Sequence, residues 1–114
     1  MDIESIRAYC LSLPHVTEDV KWGNDLLFRI GNKMFAAVVL DAASSVKLSF
    51  KCTPEMFAEL TEQADIIPAP YAARHHWVAL QSYDALSTKE LKTRIKDSYE
   101  MVWAKLPKKV RNSL

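Results

Sequence analysis

The sequence predicts a two-layer α/β (α+β) domain: an antiparallel sheet with helices packed on one face. Three observations lead there. Apolar residues recur at helical spacing at both ends of the chain, Ile3, Ile6, Cys10 and Leu13 near the start and Leu91, Ile95, Tyr99, Val102 and Leu106 near the finish. Two apolar runs, Leu26 to Ile30 and Lys33 to Leu40, flank Gly31 and Asn32, a two-residue loop that suits a tight hairpin. Val46, Leu48 and Phe50 alternate with Lys47, Ser49 and Lys51, the period of a strand buried on one side with a wet, basic face on the other.

Taken in order, Asp2 caps a first helix over residues 2 to 13, which Pro14 stops. Val20 to Trp22 is a short strand, and Gly23, Asn24 and Asp25 turn the chain into the hairpin. Asp41 to Ser45 makes a second turn before the alternating strand. Thr53 followed by Pro54 starts a second helix reaching about Gln63, because threonine caps free amides and proline fits the first turn. Asp65 to Ala73, with Pro68 and Pro70, is expected to be irregular and extended. His75 to Gln81 follows as a strand, Ser87 or Thr88 caps a long helix ending near Leu106, and Pro107 leaves a short basic tail. The first, second and last helices are expected on one face of the sheet, with the other face partly open.

At 114 residues the chain is expected to form one domain, residues 1 to 114, around a single core. The apolar run around Phe35 to Leu40 is far below the ~20 residues a membrane span requires. Met1, Asp2, Ile3 and Glu4 carry no basic leader, so the expectation is a soluble, cytoplasmic protein without membrane attachment. Cys10 and Cys52 form neither a disulfide framework nor a metal-ligand spacing, and read as buried or half-buried thiols in a reducing compartment.

The net charge of +1 conceals a polarity. Residues 1 to 65 hold 6 Lys+Arg against 10 Asp+Glu, or −4, and residues 66 to 114 hold 9 against 4, or +5. Such asymmetry is compatible with an anion-binding face, although the pI near 7.8 lies below that of a dedicated nucleic-acid binder. Catalytic chemistry has little support: no serine or cysteine sits in a nucleophile elbow, and two glycines cannot build a phosphate loop. His75 and His76, placed side by side in a strand, would point to opposite faces and could not share a metal ion. The expectation is no enzyme activity, no catalytic or metal residues and no cofactor. Tyr71, Arg74 and Tyr99 could line a small-anion pocket near the proline loop, or anchor that loop to the core. Trp77 is expected to pack rather than to touch a ligand.

One set of residues carries a further likeness. Pro70 and Tyr71 precede Arg74, His75, His76 and Trp77, which open the run to Leu80; Ser98 and Tyr99 follow on the last helix, which ends Lys105, Leu106, Pro107, Lys108, Lys109, Val110 and Arg111. With Gly31, Lys33, Met34 and Phe35 in the hairpin, this order resembles the MmcQ/YjbR family of small bacterial proteins nearly end to end. The resemblance implies an α-β-β-β-α-β-β-α order and a DNA contact made by hairpins as wings. Lys47, Lys51, Lys89, Lys92, Lys96, Lys108, Lys109 and Arg111 are the candidate phosphate contacts, with the C-terminal helix and tail supplying most of the affinity for double-stranded DNA. Trp22 and Trp103 are the exposed-looking aromatics. The alternative is a protein-binding, adaptor-like or chaperone-like module that uses the open sheet face and Trp22.

Overall fold

The computed structural model describes residues 1–70 and 72–114. Its elements are α1 (Ile3–Ser12), β1 (Thr17–Lys21), β2 (Asp25–Ile30), β3 (Lys33–Val39), β4 (Leu48–Lys51), α2 (Pro54–Thr61), β5 (Ile66–Pro68), a 3₁₀ turn (Ala73–His75), β6 (Trp77–Leu80), α3 (Thr88–Lys105) and α4 (Lys108–Asn112). The six strands form one antiparallel sheet in the order β1-β2-β3-β4-β6-β5. The caps are those the sequence announces. Asp2 and Ser5 form a reciprocal capping box on α1, Thr53 Oγ1 accepts from the Met56 amide of α2, and Ser87 Oγ accepts from the Glu90 amide of α3.

The main core lies between the sheet and the helices. Leu26, Phe28 and Ile30 of β2, Phe35 and Val38 of β3, Leu48 and Phe50 of β4, and Val78 and Leu80 of β6 bury against Ile6 and Cys10 of α1, Leu60 of α2 and Leu91 and Ile95 of α3. Alternation sends their neighbours to the opposite face, where Trp77, Ala79 and Ala69 form a smaller cluster with Met34, Val46, Ile67 and Ala72. Gly31 (φ 56°) and Asn32 (φ 67°) both adopt the positive φ that a tight hairpin turn of the favoured hand requires.

Several expectations need correction. The stretch expected to be irregular contains β5, paired to β6 from Ile66↔Leu80 to Pro68↔Val78; the proline stands at the end of an edge strand, where a missing amide does no harm. His75 closes a 3₁₀ turn and His76 takes a left-handed conformation (φ 62°), so neither lies in the strand assigned to them. β1 begins at Thr17 and stops at Lys21, with Trp22 (φ 55°) in the turn. The basic tail is helical, as α4. The strand Leu48–Lys51 does not carry a wet outer face, because Ser49 and Lys51 are half-buried.

Ser98 makes a connection between helix and sheet that patterning did not anticipate. It is the buried polar residue of the core, 0% exposed. Its hydroxyl donates to the Phe35 carbonyl of β3 at 2.6 Å and accepts from the Lys51 amide of β4 at 3.0 Å. The β2–β3 register passes from Phe28↔Ala36 to Arg29↔Met34, so Phe35 sits in a bulge. Regular β3–β4 pairing ends at Ala36↔Phe50. Ser98 Oγ bridges the strands where that ladder stops.

Two stability predictions follow from this packing. Ser98→Ala strands a carbonyl and an amide, each costing about 1–3 kcal/mol when buried without a partner. Thermal unfolding should fall by roughly 10 °C, as expected for a loss of about 2 kcal/mol in a domain of this size; an unchanged midpoint would remove the bridge from the account. Trp77 is 8% exposed, but it packs in the smaller cluster. Trp77→Ala should therefore cost about 3 kcal/mol, the lower end for a buried aromatic, as read from urea unfolding.

Candidate functional site

The hairpin between β2 and β3 determines where charge gathers. A Cβ placed on Gly31 would stand 2.8 Å from Leu106 Cδ1 and 3.0 Å from Val110 Cγ1, so the hairpin tip is pressed against the junction of α3 and α4. This contact brings Lys33 to the end of the molecule that carries Lys105, Lys108, Lys109 and Arg111. No Asp or Glu occurs from residue 101 to 114. Lys105 closes α3 and Lys109 and Arg111 close α4, where cations complement the helix dipoles. Arg111 Nε is buried there without a partner among the described residues.

Lys33, Lys51 and Lys105 surround a pocket of about 280 Å³ whose apolar walls are Met34, Trp77, Met101, Val102 and Leu106. Lys51 lies between β3 and β6, opposite Trp77 in the β4–β6 pairing. Burial, and then the nearby charge of Lys105, pull its pKa below the usual lysine range. The described ion pairs are Arg7–Glu18, Arg29–Asp19 and Arg94–Asp97, and none involves these three lysines.

Next to this pocket, on the sheet face opposite the main core, lies a larger cleft of about 620 Å³. Its floor follows from register: Ala37 pairs with Ser49, Ser49 with Ala79, and Ala79 with Ile67. Three small side chains in a row on adjacent strands leave the trough. Met34 and Trp77 close one end and are shared with the lysine pocket, Trp22 and Asp25 stand at the other, and Ala69, Pro70 and Ala72 form the β5-side wall. Trp22 is 75% exposed, the most open large apolar side chain described. Trp103, in contrast, is half-buried against the main core.

The other expected cations are scattered. Lys47 Nζ donates to the Ala42 and Ser44 carbonyls and is committed to its own turn. Lys89 lies at the start of α3 beside Glu90 and Arg94, Lys92 sits 5.5 Å above the Tyr9 ring, and Lys96 is exposed on the same stripe. Lys89, Lys92 and Lys96 thus share a helix face but not the basic end. Lys33 and Lys105 are the members that the candidate list lacked; their sequence separation carried no signal of their meeting around Lys51.

The proposed Tyr71–Arg74–Tyr99 pocket is not assembled from its describable members. Tyr71 lies outside the described residues. Arg74 is exposed and its Nε donates to His75 Nε2, while the Tyr99 hydroxyl donates to the Pro14 carbonyl and its ring stacks edge-on against Phe35. Among the described residues no three of His, Cys, Asp and Glu cluster as metal ligands, and no helix is long and apolar enough to cross a membrane.

The two thiols face inward. Burial pushes Cys10 up to about 12 and Cys52 up to about 11, although Arg94 opposes the shift at Cys52. Both folded values lie above that of a free thiol, so the neutral form prevails in the native protein up to strongly alkaline pH, and its contribution to stability is lost as pH rises through this range. At pH 8, iodoacetamide should therefore leave native Cys10 and Cys52 unmodified, because the reactive thiolate is scarce. Mass spectrometry should show two adducts only after unfolding; rapid native labelling would contradict the buried assignment.

The fold recurs in solved structures. The Deinococcus radiodurans protein DR2400, a DUF419 domain, superposes with a TM-score of 0.82 at 24% identity, over 97% of this chain and 86% of that one. A Pseudomonas syringae protein superposes with a TM-score of 0.74 at 21% identity, over 89% and 98%. No curated protein matches the chain. The YjbR family model matches residues 11–101, which span β1 through most of α3 and include the hairpin, the small-residue trough and Ser98, and the chain belongs to the YjbR family.

Proposed function

We propose that the protein is a non-enzymatic DNA-binding protein that holds duplex phosphates weakly and with little sequence preference at the basic end of the fold. The observation that carries this reading is the packing of Gly31 on Leu106 and Val110, which joins the hairpin wing to the cationic helix ends. Lys33, Lys105, Lys108, Lys109 and Arg111 then act together, with Lys51 behind them. Four of the five outer cations are lysines, point charges suited to phosphate; base readout by forked side chains has little to work with here. Lys89, Lys92 and Lys96 add a second, more distant stripe, and Lys47 contributes field rather than contact.

Counterion release supplies the test. A site engaging about four phosphates should give a slope near −3.6 for log affinity against log salt, at about 0.9 per phosphate. Changing Lys33, Lys105, Lys108 and Lys109 to Gln should flatten that slope and weaken binding equally on unrelated duplexes. The same exchange at Lys89, Lys92 and Lys96 should have a smaller effect. Equal losses in the two variants would move the interface to α3, and no wild-type binding at ~50 mM salt would end the DNA reading.

A second reading, a protein partner on the open sheet face, is favoured by the exposure of Trp22 beside the trough. An affinity indifferent to salt and abolished by Trp22→Ala would mark it.

A further inference from the structure

We infer that the open sheet face holds a small amphipathic anion, its apolar chain lying in the Ala37–Ser49–Ala79 trough and its acidic head among Lys51, Lys33 and Lys105. This ligand site does not rest on the DNA reading: it shares Lys33, Lys51 and Lys105 with that surface and adds the trough floor, which the DNA reading does not use.

Shape is the first argument. Ligand pockets are usually apolar clefts of about 300–1,000 Å³ with a few convergent polar groups. The trough has about 620 Å³. Its volume arises from the small side chains along one rung of three neighbouring strands, while the next rung carries Trp77 and Lys51 side by side. Trp77 and Met34 line the trough and the lysine pocket alike, so the two adjoin across these side chains.

Charge gives the ligand its direction. Asp25 lies at the Trp22 end of the trough, and three lysines surround the pocket beyond Trp77. A carboxylate or phosphate monoester would be repelled at the first end and drawn to the second. Lys51 is half-buried, has no acidic partner in the described ion pairs, and is held beside Lys105. An anion there would relieve both the lost hydration and the mutual repulsion. Because Met34, Trp77, Met101, Val102 and Leu106 enclose that pocket, an anion with an apolar body gains over a bare inorganic one.

The experiment uses decanoate as the probe, with 1-decanol and acetate as its separate halves, followed by calorimetry and by tryptophan emission. Decanoate should bind saturably and raise the unfolding temperature, with both halves at least about tenfold weaker, as a charge-assisted contact predicts. Lys51→Met should weaken decanoate by a similar factor and leave 1-decanol unchanged. Ser49→Leu fills the floor and should remove both, while keeping the DNA affinity and salt slope of the wild type. Absence of decanoate binding overturns the inference, as does equal binding of 1-decanol or an unaffected Lys51→Met. If sedimentation shows a dimer that Ser49→Leu dissociates, a second copy occupies the trough and the inference falls. Should Ser49→Leu fail to fold, the comparison of decanoate with 1-decanol on Lys51→Met decides alone. Absence of DNA binding by the wild-type protein would touch only the DNA reading.

Discussion

The hydroxyl of Ser98 stands where two strands of the sheet stop pairing directly, and much of the molecule is arranged by it. The bulge at Phe35 frees a carbonyl and the end of β4 presents the Lys51 amide; one side chain from α3 answers both. A hydroxyl suits this place because it donates and accepts at once, as an inserted water would. The bridge ties α3 to β3 and β4 in a dry interior, where an unmet polar group is costly. Tyr99, the next residue, stacks on Phe35 and reaches Pro14, so adjacent positions of α3 secure the bulge and the link between α1 and β1.

The electrostatic layout follows from that bridge. Held at its amide, Lys51 lies opposite Trp77 and lines a pocket with Met34 and with Met101, Val102, Lys105 and Leu106 at the end of α3. Lys33 shares a pocket with Lys105 at the end of α3, and the close seat of Gly31 on Leu106 and Val110 leaves no room for a side chain at the turn. Like charges are thereby collected at one end, a cost in self-repulsion that a globular domain tolerates where an anion is to be held. Part of the acidic surplus of the first 65 residues lies on β1, the edge strand beside the hairpin, where Glu18 pairs with Arg7 and Asp19 with Arg29.

Family and fold leave function open in a defined way. Both structural likenesses fall below 25% identity and speak for the architecture alone. The functional argument rests on this chain's own side chains on that sheet: a rung of Ala37, Ser49 and Ala79 beside a rung of Lys51 and Trp77. The two proposed anion-binding modes draw on the same basic end, one across its outer surface and one within the trough, and the small floor residues would serve only the second.

From the sequence by itself came the caps, the hairpin, the inward stripe of α3 and the layered α/β class, because each depends on neighbours within a few residues: Asp2 on Ser5, Thr53 on Met56, Gly31 on Asn32. The strand β5 escaped notice because Pro68 and Pro70 mark a break, and only pairing with β6 makes an edge strand of so short a run. His75 and His76 were misplaced since β-like composition cannot register a left-handed residue that ends a 3₁₀ turn. The lysine charge was countable, yet its site was not: Lys33, Lys51 and Lys105 meet because a bulge, a bridging hydroxyl and a docked glycine fold three distant segments together. Sequence settles what local hydrogen bonds and periodic burial can settle; which charges share a pocket is decided by contacts between residues far apart in the chain, and those exist only in the tertiary structure.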